Sequence, residues 1–100
     1  MRQAMDRDLK EIRRLILAAL RPFKAEVVLF GSWARGDRRR WSDIDVGIRG
    51  KGPLPPLLLE NLREVLEEST IPYRVEIVDL ATVGPEFIRN VRKDGIVWRA

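Results

Sequence analysis

Apolar residues at Leu9, Ile12, Ile16 and Leu20 recur at the helical period and predict a helix from Asp6 to Leu20, with Asp6 as N-cap and Pro22 beyond its end. Glu26 to Phe30 follows as a continuous apolar run that stops at Gly31, the pattern of a buried strand. Gly31 to Trp41 is polar and Arg-rich, with room for one helical turn after Gly31-Ser32. From Ser42 to Arg49, Ile44, Val46 and Ile48 alternate with Asp43, Asp45 and Gly47, and this period of two predicts a second strand. Gly50 to Pro56 breaks the chain with glycines and prolines. Leu57 to Glu68 then predicts a helix with Leu58, Leu62, Val65 and Leu66 on one face. Tyr73 to Leu80 reads as a third strand, with Val75 and Ile77 on one face and Glu76 and Val78 on the other. Pro85 suits a first helical turn, Glu86 to Lys93 is helical, and Gly95 stands at the expected left-handed C′ position. Ile96-Val97-Trp98 fits either a short strand or a docking segment.

This order, helix, strand, strand, helix, strand, helix, predicts an α/β (α+β) fold in which a small mixed β-sheet is flanked by helices. A length of 100 residues leaves room for one core, so residues 1–100 are expected to form a single domain. A hydrophobic fraction of 45% with 34% charged residues excludes a disordered chain. The chain has no cysteine and no histidine, which excludes disulfides, zinc sites, thiol nucleophiles and Ser-His-Asp triads. Chemistry is left to carboxylates, hydroxyls, Lys, Arg, Tyr and a hard metal ion. No apolar run approaches a membrane span, and Leu15 to Leu20 is too short for a signal peptide, so a cytoplasmic location without a membrane partner is expected. The net charge is +4. Its basic excess lies in the first half, around Arg35, Arg38, Arg39 and Arg40, a run that fits either a solvated loop or the neutralisation of an anionic ligand such as a triphosphate or an RNA backbone.

Asp43 and Asp45 are two apart on a strand, so both side chains leave the same face. Side-by-side carboxylates repel unless a cation sits between them, and Mg²⁺ suits such oxygen ligands. Asp-x-Asp alone fits a solvated strand face better than a metal site. Glu76 tips the balance, because a charge in mid-strand needs a partner, and a third strand beside the second would bring it to Asp43 and Asp45. Asp79 has the opposite parity and reads as a turn or cap residue. Gly31-Ser32 closes the first strand, where a helix start would expose backbone N–H groups to phosphate. Trp33 and Trp41 flank the Arg-rich loop and fit core packing better than base stacking.

Gly31-Ser32, ten intervening residues and Asp43-Ile44-Asp45 resemble the signature of the DNA polymerase β-like nucleotidyltransferase superfamily. The strings Phe30 to Asp37 and Ser42 to Val46, with the ending Phe87-Ile88-Arg89 to Gly95-Ile96-Val97, resemble its minimal nucleotidyltransferase subfamily. The resemblance implies that Asp43, Asp45 and Glu76 are the catalytic, metal-binding carboxylates, Glu76 standing where the family often has Asp. It also implies that Gly31, Ser32 and Arg35 bind the nucleotide. The implied cofactor is Mg²⁺, two ions, with Mn²⁺ an alternative. The implied reaction moves a nucleoside monophosphate from an NTP, ATP first, to an acceptor hydroxyl. The implied partner is a HEPN-type helical toxin, one of whose tyrosines would accept AMP, which makes the chain an antitoxin. A non-catalytic antitoxin acting by binding alone, and a homodimeric enzyme for small aminoglycoside-like alcohols, remain alternatives.

Overall fold

The computed structural model describes residues 2–36 and 43–100, with side chains from residue 7 onward. Its elements are α1 (Arg2–Ala19), β1 (Glu26–Phe30), α2 (Ser32–Arg35), β2 (Ile44–Arg49), α3 (Pro56–Glu68), β3 (Val75–Asp79), a 3₁₀ turn (Leu80–Thr82), α4 (Pro85–Asp94) and β4 (Ile96–Arg99). The strands form one sheet in the order β3-β2-β1-β4. β1 runs antiparallel to both β2 and β4. The crossover through α3 makes β3 parallel to β2. The architecture is therefore the expected mixed sheet flanked by helices.

Strand alternation divides the sheet into two unequal faces. On one face Val27, Leu29, Ile44, Val46, Ile48 and Ile77 pack against Ile12, Ile16 and Leu20 of α1 and Leu59, Leu62 and Leu66 of α3. These side chains are almost wholly removed from water and form the main core. On the other face Val28, Leu80 and Val91 form a smaller cluster. There α4 packs chiefly against β1 and the 3₁₀ turn against β2. A bidentate ion pair from Arg92 to Glu26, at 2.8 and 3.2 Å, ties α4 to β1. The Arg99 guanidinium donates to the carbonyls of Leu20 and Phe23, closing the C-terminal end of α1.

Three local expectations are corrected. Asp6 lies inside α1 instead of capping it, because Arg2 to Met5 are good helix formers and the helix extends back through them. In α3 the buried face is Leu59, Leu62 and Leu66, which rotates Val65 to the outside, 44% exposed. Gly95 does end α4, with φ −69° and not in the left-handed region. Glycine is needed there for space: a Cβ would lie 2.4 Å from the Val91 carbonyl oxygen and 2.6 Å from Val28. The C-terminal segment is a strand, and its Trp98 packs against the main core.

Asp79 is the one buried charged residue among those described, and it performs the capping role expected of it. Its Oδ2 accepts from the Leu54 N–H and its Oδ1 from the Ala81 N–H, both at 2.9 Å. It thus pins the Gly50–Pro56 loop to the turn after β3. Asp79→Ala leaves two backbone donors unpaired and is expected to lower the unfolding free energy by roughly 2–3 kcal/mol. Urea unfolding measures this; a loss below about 0.5 kcal/mol, the range of neutral surface changes, would contradict it.

Candidate functional site

The parallel ladder pairs Asp45 of β2 with Glu76 of β3. Facing partners in a ladder project from the same side of the sheet, so both carboxylates leave the face opposite the main core. Asp43, just ahead of β2, shares their parity. This end of the face is open, with Asp43 and Glu76 44% and 47% exposed, while α4 lies over β1 and the 3₁₀ turn over Gly47 of β2. The sequence expectation that β3 would bring Glu76 to the Asp pair therefore holds.

Asp45 is half-buried and its carboxyl titrates above the ordinary aspartate range. Burial is the main cause, followed by the negative charges of Asp43 and Glu76, while the Arg35 guanidinium works in the opposite direction. Gly31 packs against the same carboxylate. Its φ of +75° and ψ of −158° belong to a region that only glycine occupies readily, and a Cβ there would stand 2.3 Å from Asp45 Oδ2. The backbone at the end of β1 thus approaches Asp45 more closely than any side chain would permit.

Ser32 begins α2 directly after Gly31, an N-cap residue that makes no side-chain cap hydrogen bond. The Ala34 and Arg35 N–H groups both donate to the Gly31 carbonyl at 3.1 Å. Gly36, at φ +79°, closes the turn by donating to Ser32 O at 2.9 Å. Trp33 is buried beneath α2 and meets Tyr73 edge-on at 4.9 Å, the packing role expected of it. This contact fixes α2 against the chain that enters β3. Phe30, opposite Asp45 in the β1–β2 ladder, meets Phe87 of α4 edge-on at 5.7 Å. Arg38, Arg39, Arg40, Trp41 and Ser42 lie outside the described residues.

Sequence reasoning missed Arg74. Its Nε lies 3.9 Å from Asp43 Oδ2 and its Nη2 3.8 Å from Glu76 Oε2. The available signal was the spacing Arg74-x-Glu76, which places opposite charges on one strand face.

Among the described residues, no three His, Cys, Asp or Glu side chains are gathered closely enough to hold a metal ion by themselves. The donor chemistry nevertheless fits a hard divalent cation. Three carboxylates share one face, two of them raise the pKa of the third, and the Arg74 guanidinium lies within 4 Å of two of them. Mg²⁺ needs only one or two protein carboxylates when phosphates and waters complete its shell. No described helix is long and apolar enough to cross a membrane.

A family model described as nucleotidyltransferase domain matches residues 9–97. The chain belongs to this family. A solved minimal nucleotidyltransferase structure superposes on this domain with a TM-score of 0.71, at 29% identity over 88% of this chain and 90% of that one. A crystal structure of a toxin-antitoxin with AMP-PNP gives a TM-score of 0.69 at 26% identity, over 86% of this chain and 71% of that one. The protein of Haemophilus influenzae named "Probable protein adenylyltransferase MntA" is 37% identical over 68 residues, 68% of this chain and 60% of that protein. The nucleotidyltransferase domain thus spans about 60% of the length of this curated relative. The resemblance to minimal nucleotidyltransferases drawn from Gly31-Ser32 and Asp43-Ile44-Asp45 is supported on each count.

Two outcomes are expected from the geometry at Asp45. Gly31→Ala puts a side chain into a glycine-only conformation and into the Asp45 carboxylate, so the unfolding free energy should fall by about 2 kcal/mol or more; unchanged denaturant unfolding would contradict the close approach. Because Asp45 has a raised pKa, its charged form costs stability in the fold. That cost is present at neutral pH and is relieved as pH falls through the raised value toward the ordinary aspartate value of about 4. In metal-free buffer Asp45→Asn should therefore be at least as stable as the natural protein at pH 7, with the difference vanishing near pH 4. A variant clearly less stable at pH 7 would contradict the repulsion.

Proposed function

We propose that this nucleotidyltransferase domain transfers AMP from ATP to a tyrosine hydroxyl of a HEPN-type helical toxin and so acts as an antitoxin. The observation that carries the proposal is the in-register pair Asp45 and Glu76, with Asp43 beside it and the Gly31 backbone packed against Asp45. The similarity to MntA and to a toxin-antitoxin crystallised with AMP-PNP supports the choice of nucleotide and partner.

In this reading Asp43, Asp45 and Glu76 are the residues that would hold Mg²⁺, or Mn²⁺ in its place. When bound, the metal supplies charge neutralisation at the phosphates and a lowered pKa at the acceptor hydroxyl. Gly31 leaves room for the phosphates to approach the backbone, and the Ser32 hydroxyl donates to them. Arg35, whose charge is felt at Asp45, offsets negative charge on the nucleotide. The acceptor oxygen attacks the α-phosphorus as the bond to pyrophosphate breaks, and Glu76 takes the hydroxyl proton. Residues 1–100 act as one domain, and the acceptor comes from the partner. Ile96 and Val97 on edge strand β4, 47% and 52% exposed, offer apolar surface to that partner.

Incubation with labelled ATP, Mg²⁺ and the helical protein should give a covalent nucleotide adduct on a partner tyrosine, seen as a mass increase, and Asp43→Ala should abolish it. A partner neutralised without gaining mass would indicate an antitoxin that acts by binding alone. Efficient modification of an aminoglycoside-like alcohol by the domain on its own would indicate a small-molecule enzyme.

A further inference from the structure

We propose that Arg74 is the resident counter-cation of the carboxylate site, holding the place between Asp43 and Glu76 until a divalent cation displaces it. The inference rests on the reading of Asp43, Asp45 and Glu76 as metal ligands. Arg74 makes its site-tuning contribution through the two carboxylates it bridges, and is therefore a positioning residue that sets metal affinity.

The geometry has three parts. First, the guanidinium faces both outer carboxylates at once, at 3.9 Å from Asp43 and 3.8 Å from Glu76. These separations are ion-pair contacts too long for hydrogen bonds, so the cation screens the carboxylates without being locked to either. Second, its pivot is fixed while its head is not. The Arg74 carbonyl accepts from the Ile44 N–H at 2.9 Å, which ties the Arg74 backbone to the start of β2, whereas the side chain is 76% exposed. Third, a second seat lies alongside. Arg74 and Glu76 line a cleft of about 230 Å³ that also contains Arg63 and Glu67 of α3. Arg63 in this cleft is committed to the Ile77 carbonyl at 3.0 Å, so a guanidinium leaving Asp43 can swing toward Glu67 as its acidic partner.

A metal ion and Arg74 thus compete for the same two carboxylates. Exposed ion pairs are weak, so the competition is expected to shift affinity modestly without blocking the site.

The test is Mn²⁺ binding to the full chain without nucleotide, followed by electron paramagnetic resonance, for the natural protein, Arg74→Gln and Arg74→Lys. Arg74→Gln keeps the length and removes the charge, and should bind Mn²⁺ about two- to fivefold more tightly. Arg74→Lys should stay near the natural value. Thermal melting gives an independent readout: Arg74→Gln should melt below the natural protein in chelator, and saturating Mn²⁺ should remove that difference. Unchanged or weaker Mn²⁺ binding by Arg74→Gln, with normal binding by the natural protein, would overturn the counter-cation role alone. Absence of Mn²⁺ binding in all three proteins at millimolar metal would overturn the metal-site reading and this inference with it.

Discussion

The parallel pairing of β2 with β3 is the constraint on which the site depends. Its register sets Asp45 against Glu76, and a slip of one residue would send one of them into the apolar layer under α1 and α3. The register is held by that layer, because Ile44, Val46, Ile48 and Ile77 must all face it. A hydrophobic requirement on one face of the sheet therefore enforces an electrostatic liability on the other. Removal of apolar surface from water supplies the stability that tolerates clustered carboxylates.

The parts around that pair reduce the liability or exploit it. Arg35 and Arg74 bring positive charge to the carboxylates from two directions, one from α2 and one from the entry to β3. Gly31 lets the backbone close against Asp45, and the edge-on contact of buried Trp33 with half-buried Tyr73 holds α2, which Ser32 begins, in position. Since α4 covers β1 and the 3₁₀ turn covers β2 at Gly47, the carboxylate end of the β2–β3 face stays open to a ligand. A rigid core beneath an open, charged face is the arrangement that positions phosphate and metal ligands without rearrangement of the fold.

Much of this was legible in the sequence. Period-two alternation at Ile44, Val46 and Ile48 located β2 and assigned Asp43 and Asp45 to its polar face. A charge at Glu76 inside an apolar strand signalled a partner across the ladder. The spacing from Gly31-Ser32 to Asp43-Ile44-Asp45 carried the family resemblance. What the sequence left open depended on phase and on distant contacts. Leu58 and Leu59 both suit a buried helix face, and only packing against α1 selects Leu59 and turns Val65 outward. Asp6 is a good N-cap type, yet its upstream neighbours propagate the helix. Gly95 looked like a left-handed cap, whereas its reason is the crowding by Val91 and Val28. Arg74 reads as an ordinary exposed strand residue until the β2–β3 register places Asp43 next to it.

The central claim is that Asp43, Asp45 and Glu76 form a metal-dependent nucleotide site at the open end of the β2–β3 face. Calorimetric titration of the natural protein with ATP, in Mg²⁺ and again in chelator, tests it most directly. The account predicts clearly tighter ATP binding with Mg²⁺, since phosphates and carboxylates share the ion and three bare carboxylates repel a triphosphate. Equal ATP affinity in the two buffers would contradict it.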